Sequence, residues 1–409
     1  MFKMLVILCI LLGFGFDVLT EWLDARQEKR PMKACVRDIY DEKEYSRWQR
    51  YSHEKKRLSL LSSGVSAAVL TVLFAINAFA WLSARLPRNE YANSLLLFCI
   101  WTAFSAVMGL PFHYINQMKI EEKYGFNRTT LKTFLMDEVK NTLVSLVLFG
   151  ALLAASIACW HGLGNAFFLA VYGILALIML GISTFSLTFM KLFNKFAPLE
   201  EGSLRTRLEA LFRENGFQLK NIYVMNASQR TTKANAFCTG LGKFKEIALY
   251  DTLVNNFTED EIIAVFAHEL THFRHGDTRH MTALNILGFL PAMLLVWLLA
   301  ADPAPLRQLG FDQVNFGMIY ITLFEAVLGP IMLLMQAPMA AFSRWQERRA
   351  DAYPAAIGLA APMESALKKL ARQNFANLNP HPLNVKLLYD HPPIAERIER
   401  IRDGAQKTA

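Results

Sequence analysis

The segment His268–His272 reads His-Glu-Leu-Thr-His, and these residue types at this spacing could bind a metal ion and use it. On a helix, residues four apart share a face, so His268 and His272 can hold one ion together. Glu269 would then lie beside the ion, where a carboxylate can act as a general base. Glu347 is the candidate third ligand and leaves one position open for water. The pattern predicts a catalytic site with one Zn²⁺ per chain, as in zinc peptidases.

A short HExxH pattern also arises by chance, so the element that carries it matters. Apolar residues recur with helical spacing over residues 260–273, which predicts a helix there. Thr258 and Glu261 fit a capping box at its start, and both histidines then fall well inside the helix. Asp351, one turn after Glu347, could hydrogen-bond a ligand histidine and orient it. The alternative is a solvated helix face that carries two histidines by coincidence.

The elements around this helix predict a small mixed unit. Residues 222–225 and 245–250 have the composition of short strands, and residues 236–239 could form a third strand at an edge. Residues 204–212 and 362–371 have the periodicity of amphipathic helices.

The composition predicts a polytopic membrane protein. The chain has 409 residues, of which 53% are hydrophobic and only 19% are charged, and its net charge is +8. An ordinary soluble domain is less apolar. The basic residues flank apolar stretches and do not cluster with stacking aromatic residues. We therefore expect the lipid bilayer as a partner and no nucleic acid.

Seven apolar runs are long enough to span a bilayer. They cover roughly residues 3–20, 60–83, 93–116, 141–160, 165–190, 282–300 and 315–340. Eleven Lys or Arg lie from Arg26 to Arg57. When successive loops alternate between the two sides of the membrane, every loop with more basic residues falls on the same side as this one. Because basic loops stay inside, the N-terminus is predicted outside, and the zinc motif and C-terminus are predicted cytoplasmic.

The predicted fold class is mainly α, with a small β-sheet in the cytoplasmic unit. We expect four parts along the chain. Residues 1–190 hold five membrane helices, 191–281 the zinc helix, 282–340 the last two membrane helices, and 341–409 the third ligand and the remainder of the catalytic unit.

Six ordered motifs carry a resemblance to the integral-membrane zinc metalloproteases called CAAX prenyl protease 1, the type-I CAAX endopeptidases. The resemblance covers nearly the whole chain. The motifs are residues 22–27, 121–128, 193–202, the zinc helix, 343–351 and 391–397.

The resemblance implies a barrel of seven tilted helices around a water-filled chamber, capped by a thermolysin-like zinc domain. It implies that Asn235, Ala236 and Phe237 lie on an edge strand to which a peptide substrate adds through main-chain hydrogen bonds. It also implies that His391 and Arg397 reach the site from the C-terminal segment. His391, with Asn235, would stabilise the oxyanion and the substrate backbone, and Arg397 would bind substrate.

Three departures from the family pattern favour a bacterial origin and the bacterial plasma membrane. Thr271 replaces a glycine, Asp277 replaces a histidine found in many eukaryotic members, and the last two spans are joined by a short connection. The substrate stays open between a prenylated C-terminus, an unfolded membrane protein in quality control, and a signal-like peptide.

Two other classes of protein are alternatives. One is the smaller heat-shock membrane protease, which has fewer spans. The other is a seven-helix transporter or receptor in which zinc is structural.

Overall fold

The structure is a computed structural model that describes residues 1–191, 193–239 and 244–408. The chain begins with a membrane part of α-helices. Their bounds are α1 Phe2–Gln27, α2 Glu42–Ala75, α3 Ala78–Ser83, α4 Glu90–Tyr114, α5 Leu131–Leu163, α6 Phe167–Thr184 and α7 Ser186–Met190.

A sheet part follows, and it is completed by the C-terminal helices. Its first elements are β1 Phe196–Pro198, α8 Ser203–Glu214, β2 Gln218–Met225, β3 Ala236–Thr239, β4 Phe244–Tyr250, α9 Asp251–Asn256 and α10 Glu259–His275. The chain then returns to the membrane part with α11 Asp277–Gly288, α12 Leu290–Ala301, α13 Ala304–Arg307, α14 Phe316–Thr322 and α15 Leu328–Ala350. The last helices are α16 Ala352–Ala356, α17 Ala360–Gln373, α18 Pro382–Leu388 and α19 Ile394–Thr408.

Within the described residues, six helical stretches are long and apolar enough to cross a membrane. They are Phe2–Gln27, Glu42–Ala75, Glu90–Glu121, Leu131–Thr184, Asp277–Ala301 and Phe316–Ala356. The seven predicted runs map onto these six because the fourth and fifth both lie in Leu131–Thr184. That stretch contains α5 and α6, which pack against each other after a turn at Gly164 with φ of 53°. The mainly helical membrane architecture is thus confirmed, while an enclosed chamber stays a prediction.

Several predicted spans are interrupted rather than continuous. In the second run, the regular helix stops at Ala75, because Asn77 adopts φ of 54°. This is a left-handed conformation that asparagine tolerates better than most residues. Wider π-helical turns occur at Ile115–Glu121 and Leu323–Val327. Such turns are frequent at functional sites.

The membrane part buries one face of its helices and leaves another apolar face outward. Gly317 of α14 lets that helix approach α4 closely, since a Cβ at this position would lie 2.4 Å from the Ser94 carbonyl oxygen. Large apolar side chains on the outer face remain exposed, among them Leu8, Val107, Val147, Leu177 and Leu334. An outward apolar face of this kind is a surface for lipid.

The sheet has the strand order β1-β2-β4-β3. Strands β2 and β4 are parallel, and β1 and β3 pair antiparallel on the outside. The strand β3 therefore lies at an edge, as the sequence predicts, whereas β1 was not predicted.

The sheet and the helix α10 share one core. Phe212 of α8, Ile247 of β4 and Phe266 of α10 are fully buried in the same cluster, and Ala366 of α17 joins them from the C-terminal segment. Burying each large apolar side chain stabilises the fold by about 2–3 kcal/mol relative to leaving it in water. The two sequence segments of the sheet part are thus held together as one packed unit. The four predicted part boundaries stay a prediction; residues 192, 240–243 and 409 lie outside the described ranges.

Candidate metal centre

The helix α10 directs two histidines toward one point. It begins with a complete capping box, in which Thr258 Oγ1 accepts from the Glu261 amide at 3.3 Å and Glu261 Oε2 accepts from the Thr258 amide at 2.8 Å. The capping box and the predicted helix are confirmed. His268 and His272 lie well inside it, and their Nε2 atoms are 3.2 Å apart.

The third group comes from α15. Glu347 Oε1 lies 3.2 Å from His272 Nε2, and Glu347 Oε2 lies 3.3 Å from His268 Nε2. One ligand atom from each of the three residues falls within 4.8 Å of the others. Glu347 is buried, and its Oε2 has no hydrogen bond of good geometry among the described residues. A buried carboxylate oxygen facing two imidazole nitrogens in this way fits a divalent cation with a preference for nitrogen and oxygen ligands.

A carboxylate holds the outer nitrogen of each histidine. Asp351 Oδ1 lies 3.0 Å from His268 Nδ1, and Asp277 Oδ2 lies 2.9 Å from His272 Nδ1. These contacts fix the ring orientation and keep both Nε2 atoms directed at Glu347. Asp351 is therefore located where its predicted orienting role requires it.

Arg397 lies behind the ligands. Its guanidinium donates to both oxygens of Asp351, at 2.7 and 3.0 Å, and it lies 3.7 Å from Glu347 Oε2. The residue is buried. The sequence predicts that Arg397 binds substrate, but its contacts in the structure are with Asp351, Glu347 and His268. They indicate that it positions Asp351.

The electrostatics of the centre favour a bound cation. Burial by itself lowers the pKa of His268, but the hydrogen bonds to Asp351 and Glu347 outweigh burial and raise that pKa to about 9. Burial likewise opposes the charged form of His272, and Glu347 again raises its pKa above the ordinary value. A metal ion at this point would displace protons from the imidazoles.

A cavity of about 620 Å³ opens beside the three residues. Glu269, which is half-buried, lines it together with His272, Glu347 and His391. Part of the lining belongs to the membrane part. It includes Met179, Ile182 and Ser183 of α6 and Met281, Thr282 and Asn285 of α11. The candidate centre thus faces a space bounded partly by membrane helices.

His391 approaches the centre from the C-terminal segment. Its Nε2 lies 3.3 Å from Glu347 Oε1, and its Nδ1 lies 2.9 Å from Asp390 Oδ1. Arg344, three residues before Glu347 on α15, donates to the carbonyl oxygens of Val385 at 2.7 Å and Tyr389 at 2.6 Å. The chain is thereby fixed two residues before His391.

The edge strand contributes a different residue to the cavity from those that the sequence singled out. Cys238 of β3 lines the cavity. Asn235 is exposed at the start of the strand, where its Oδ1 accepts from the Ala236 amide at 2.9 Å and its carbonyl accepts from the Tyr250 amide at 3.1 Å. Ala236 and Phe237 are half-buried in the same strand. Among the described residues, no hydrogen bond or ion pair joins these three residues to His268, His272 or Glu347.

Two functional candidates were missed from the sequence. Asp277 was interpreted only as a departure from the family pattern, yet it holds His272 and accepts a hydrogen bond from Arg349. Its position follows from Gly276, which ends α10 in a left-handed conformation with φ of 68°. Gly276, directly after the last helical turn, is the feature of the sequence that could have indicated this position of Asp277. Arg344 lies in the motif 343–351, but its role was not predicted, because its partners are backbone oxygens some 40 residues away in sequence.

Residues 198–405 match peptidase family M48, and residues 21–195 match a family described as the CAAX prenyl protease N-terminal part with five membrane helices. The chain is 31% identical to the probable CAAX prenyl protease 1 of Schizosaccharomyces pombe, over 92% of this chain and 82% of that protein. It is 32% identical to the CAAX prenyl protease 1 homolog of Arabidopsis thaliana, over 90% of this chain and 89% of that protein.

The fold is similar to the crystal structure of S. mikatae Ste24p, with a TM-score of 0.90 and 25% identity, over 98% of this chain and 99% of that chain. These similarities do not favour a transporter or receptor. The chain therefore belongs to peptidase family M48 and is a multi-pass membrane metalloprotease.

Proposed function

We propose that this protein is a zinc-dependent endopeptidase that cleaves peptides inside the cavity between the sheet part and the membrane part. The observation that carries the proposal is the ligand cluster of His268, His272 and Glu347, with Glu269 beside it on the cavity wall. Two imidazoles and a carboxylate are a ligand set of catalytic zinc, and the fourth position is free for chemistry.

The three ligand residues would hold one Zn²⁺ per chain. Zinc held there would polarise the peptide carbonyl and lower the pKa of water toward neutrality. Glu269 accepts the proton of the attacking water and returns it to the leaving amine. Asp351 and Asp277 keep the two imidazole rings in place, and Arg397 positions Asp351.

The substrate would bind as an extended strand along β3. A peptide can pair with the outward main-chain groups of an edge strand, and this pairing places the peptide in register. Asn235, Ala236 and Phe237 lie at the start of this edge, and Cys238 lines the cavity. His391 Nε2, close to Glu347, is positioned to donate a hydrogen bond to the oxyanion that forms during the reaction.

The substrate class that we propose is the C-terminal segment of a lipid-modified protein. The relatives named CAAX prenyl protease support this class. The cavity wall supports it independently, because Met179, Ile182 and Met281 offer apolar contacts at membrane helices, next to the candidate zinc centre. We further propose a plasma-membrane location in a bacterium, with the sheet part in the cytoplasm.

The decisive experiment replaces Glu269 by Gln in the purified full-length protein. Loss of the base should abolish most hydrolysis of a farnesylated C-terminal peptide, while the zinc content stays at one per chain. Glu122→Gln is a matched control, since Glu122 is an exposed glutamate outside the cavity lining. Near-normal turnover by Glu269→Gln would exclude the proposed mechanism. Hydrolysis of an unmodified peptide at the same kcat/KM would exclude the proposed substrate class.

A further inference from the structure

The strand β3 needs support from outside the sheet. It has only four residues and pairs with β4 on one side. A short edge strand with one partner is readily displaced. Because the substrate would bind by pairing with β3, a displaced strand would form fewer main-chain hydrogen bonds with it.

The loop after α4 binds the segment that leads into β3. The Arg128 amide donates to the Arg230 carbonyl at 3.0 Å, and the Thr232 amide donates to the Phe126 carbonyl at 3.2 Å. Asn127 and Thr231 form an antiparallel bridge between these bonds. The loop belongs to the membrane part, so the membrane part is hydrogen-bonded to the chain just before the edge strand.

A buried carboxylate reinforces this junction. Glu121 accepts hydrogen bonds from Tyr51 Oη at 2.6 Å, Lys55 Nζ at 2.8 Å and Lys233 Nζ at 3.0 Å. Its side chain is 12% exposed. Tyr51 and Lys55 belong to α2, whereas Lys233 lies three residues before the first residue of β3. The ammonium group of Lys233 also lies 4.8 Å from the centre of the Phe126 ring.

The chain beyond Lys233 is held by the sheet part. The Lys233 carbonyl accepts from Thr252 Oγ1 at 2.9 Å, and the Ala234 amide donates to Asn374 Oδ1 at 3.2 Å. Lys233 is thus the point at which contacts to the membrane part give way to contacts to the catalytic core.

We propose that Glu121 and Lys233 are positioning residues that fix the start of β3, so that the membrane part sets the register of the bound substrate. This inference rests on the proposed function for β3. Neither residue touches the ligand cluster in the described contacts, so their effect should fall on substrate binding. Zinc content and the chemical step should be preserved.

Removal of the carboxylate charge should displace Lys233. In Glu121→Gln, the ammonium groups of Lys55 and Lys233 would face each other without the anion that holds both. The displaced strand would lose one or two main-chain hydrogen bonds to the peptide, which corresponds to a rise in KM of about tenfold. We expect kcat to change by less than about threefold.

The kinetic test uses four variants of the full-length protein and the farnesylated peptide. Glu121→Gln and Lys233→Met should raise KM, and Lys233→Arg should restore it because the cation is kept. The control is Lys123→Gln in the same loop, whose exposed side chain pairs with Glu54 at 2.6 Å; it should leave KM unchanged. If Glu121→Gln does not fold, Lys233→Met and Lys233→Arg still decide the question.

A second measurement does not depend on hydrolysis. Hydrogen–deuterium exchange of residues 230–239, measured in a Glu269→Gln background, should be faster when Glu121→Gln is added and unchanged when Lys123→Gln is added. This comparison stands even if the wild type fails to cleave the peptide, which would count against the proposed function alone. Wild-type exchange and KM in both Glu121→Gln and Lys233→Met would overturn the proposal. Zinc loss in both variants would also overturn it, since the pair would then support the whole fold.

Discussion

The imidazole rings of His268 and His272 each have a carboxylate at hydrogen-bonding distance from the nitrogen that faces away from Glu347. A carboxylate at this position selects the tautomer that leaves Nε2 free and makes that nitrogen a stronger ligand. The two carboxylates differ in the arginine that binds them. Asp351 is itself held by Arg397, whereas Asp277 is held by Arg349.

Asp277→Asn should weaken zinc binding by about 10–100-fold, because the amide carries no charge to support His272. The measurement is zinc retention by the purified protein against a chelator of known affinity. Asp312→Asn provides the control, since Asp312 is exposed and outside the cavity. Unchanged zinc affinity in Asp277→Asn would show that Asp277 serves only its pair with Arg349.

The spacing of His268, Glu269 and His272 was readable from the sequence, because helix geometry alone puts residues four apart on one face. The position of Asp277 was not, and for Arg397 the resemblance implied only that it reaches the site, without its contact with Asp351. Asp277 depends on the left-handed turn at Gly276, and Arg397 depends on how α19 packs against α16 and α17. Such packing is set by tertiary contacts that no local pattern encodes.

At the scale of elements, one turn of α15 contributes two side chains to the site. Glu347 points to the histidines of α10, and Arg344 binds carbonyl oxygens at Val385 and Tyr389, just before His391. One rigid helix therefore fixes the third ligand and the chain that presents His391.

The coupling between Arg344 and His391 can be measured with a double-mutant cycle. His391→Ala should lower kcat by about 10²–10³-fold with zinc retained, the usual effect of losing one oxyanion donor. Arg344→Ala should also lower kcat, because the segment before His391 loses the hydrogen bonds that hold it. The double variant should be little worse than His391→Ala alone. Additive losses would mean that Arg344 acts independently of His391.

The sequence predicted elements best where they are long and periodic. The bounds of α8, α10 and α17 differ from the predicted ones by one or two residues at each end. The three-residue strand β1 was missed because so short a segment shows no alternation, and its pairing with β2 is a tertiary contact. The predicted second run did not reveal its break at Asn77, since an apolar run says nothing about the backbone conformation of one asparagine within it.

At the scale of the whole molecule, the membrane part and the sheet part each have an apolar core, and both parts line the cavity beside the candidate zinc centre. One core joins the membrane helices, and the other joins the sheet to α8, α10 and α17. The cavity of about 620 Å³ has walls from both parts. A peptide that reaches Glu269 through this cavity therefore does so next to membrane helices.

The orientation of the chain in the membrane can be tested directly. A reporter fused after Ala409 should be active on the cytoplasmic side, and one inserted in the connection 301–314 should be active outside, because the basic residues concentrate in the other loops. A reporter placed after Arg88 provides an internal check, since this loop should also be outside. An external reporter signal at the C-terminus would reverse the predicted orientation of the catalytic part.

We expect the helical stretch Phe316–Ala356 to make the catalytic centre sensitive to the thickness of the bilayer. From Phe316 to Glu347 it would measure about 46 Å if straight, which exceeds a hydrocarbon core of about 30 Å. A thinner or thicker bilayer would change the tilt of such a helix and would strain the contacts of 3.2 and 3.3 Å between Glu347 and the histidines of α10. We expect kcat in vesicles to pass through a maximum as the acyl chains lengthen from about 14 to about 22 carbons. The fatty-acid composition of the membrane would then set the rate of proteolysis without any ligand reaching the site.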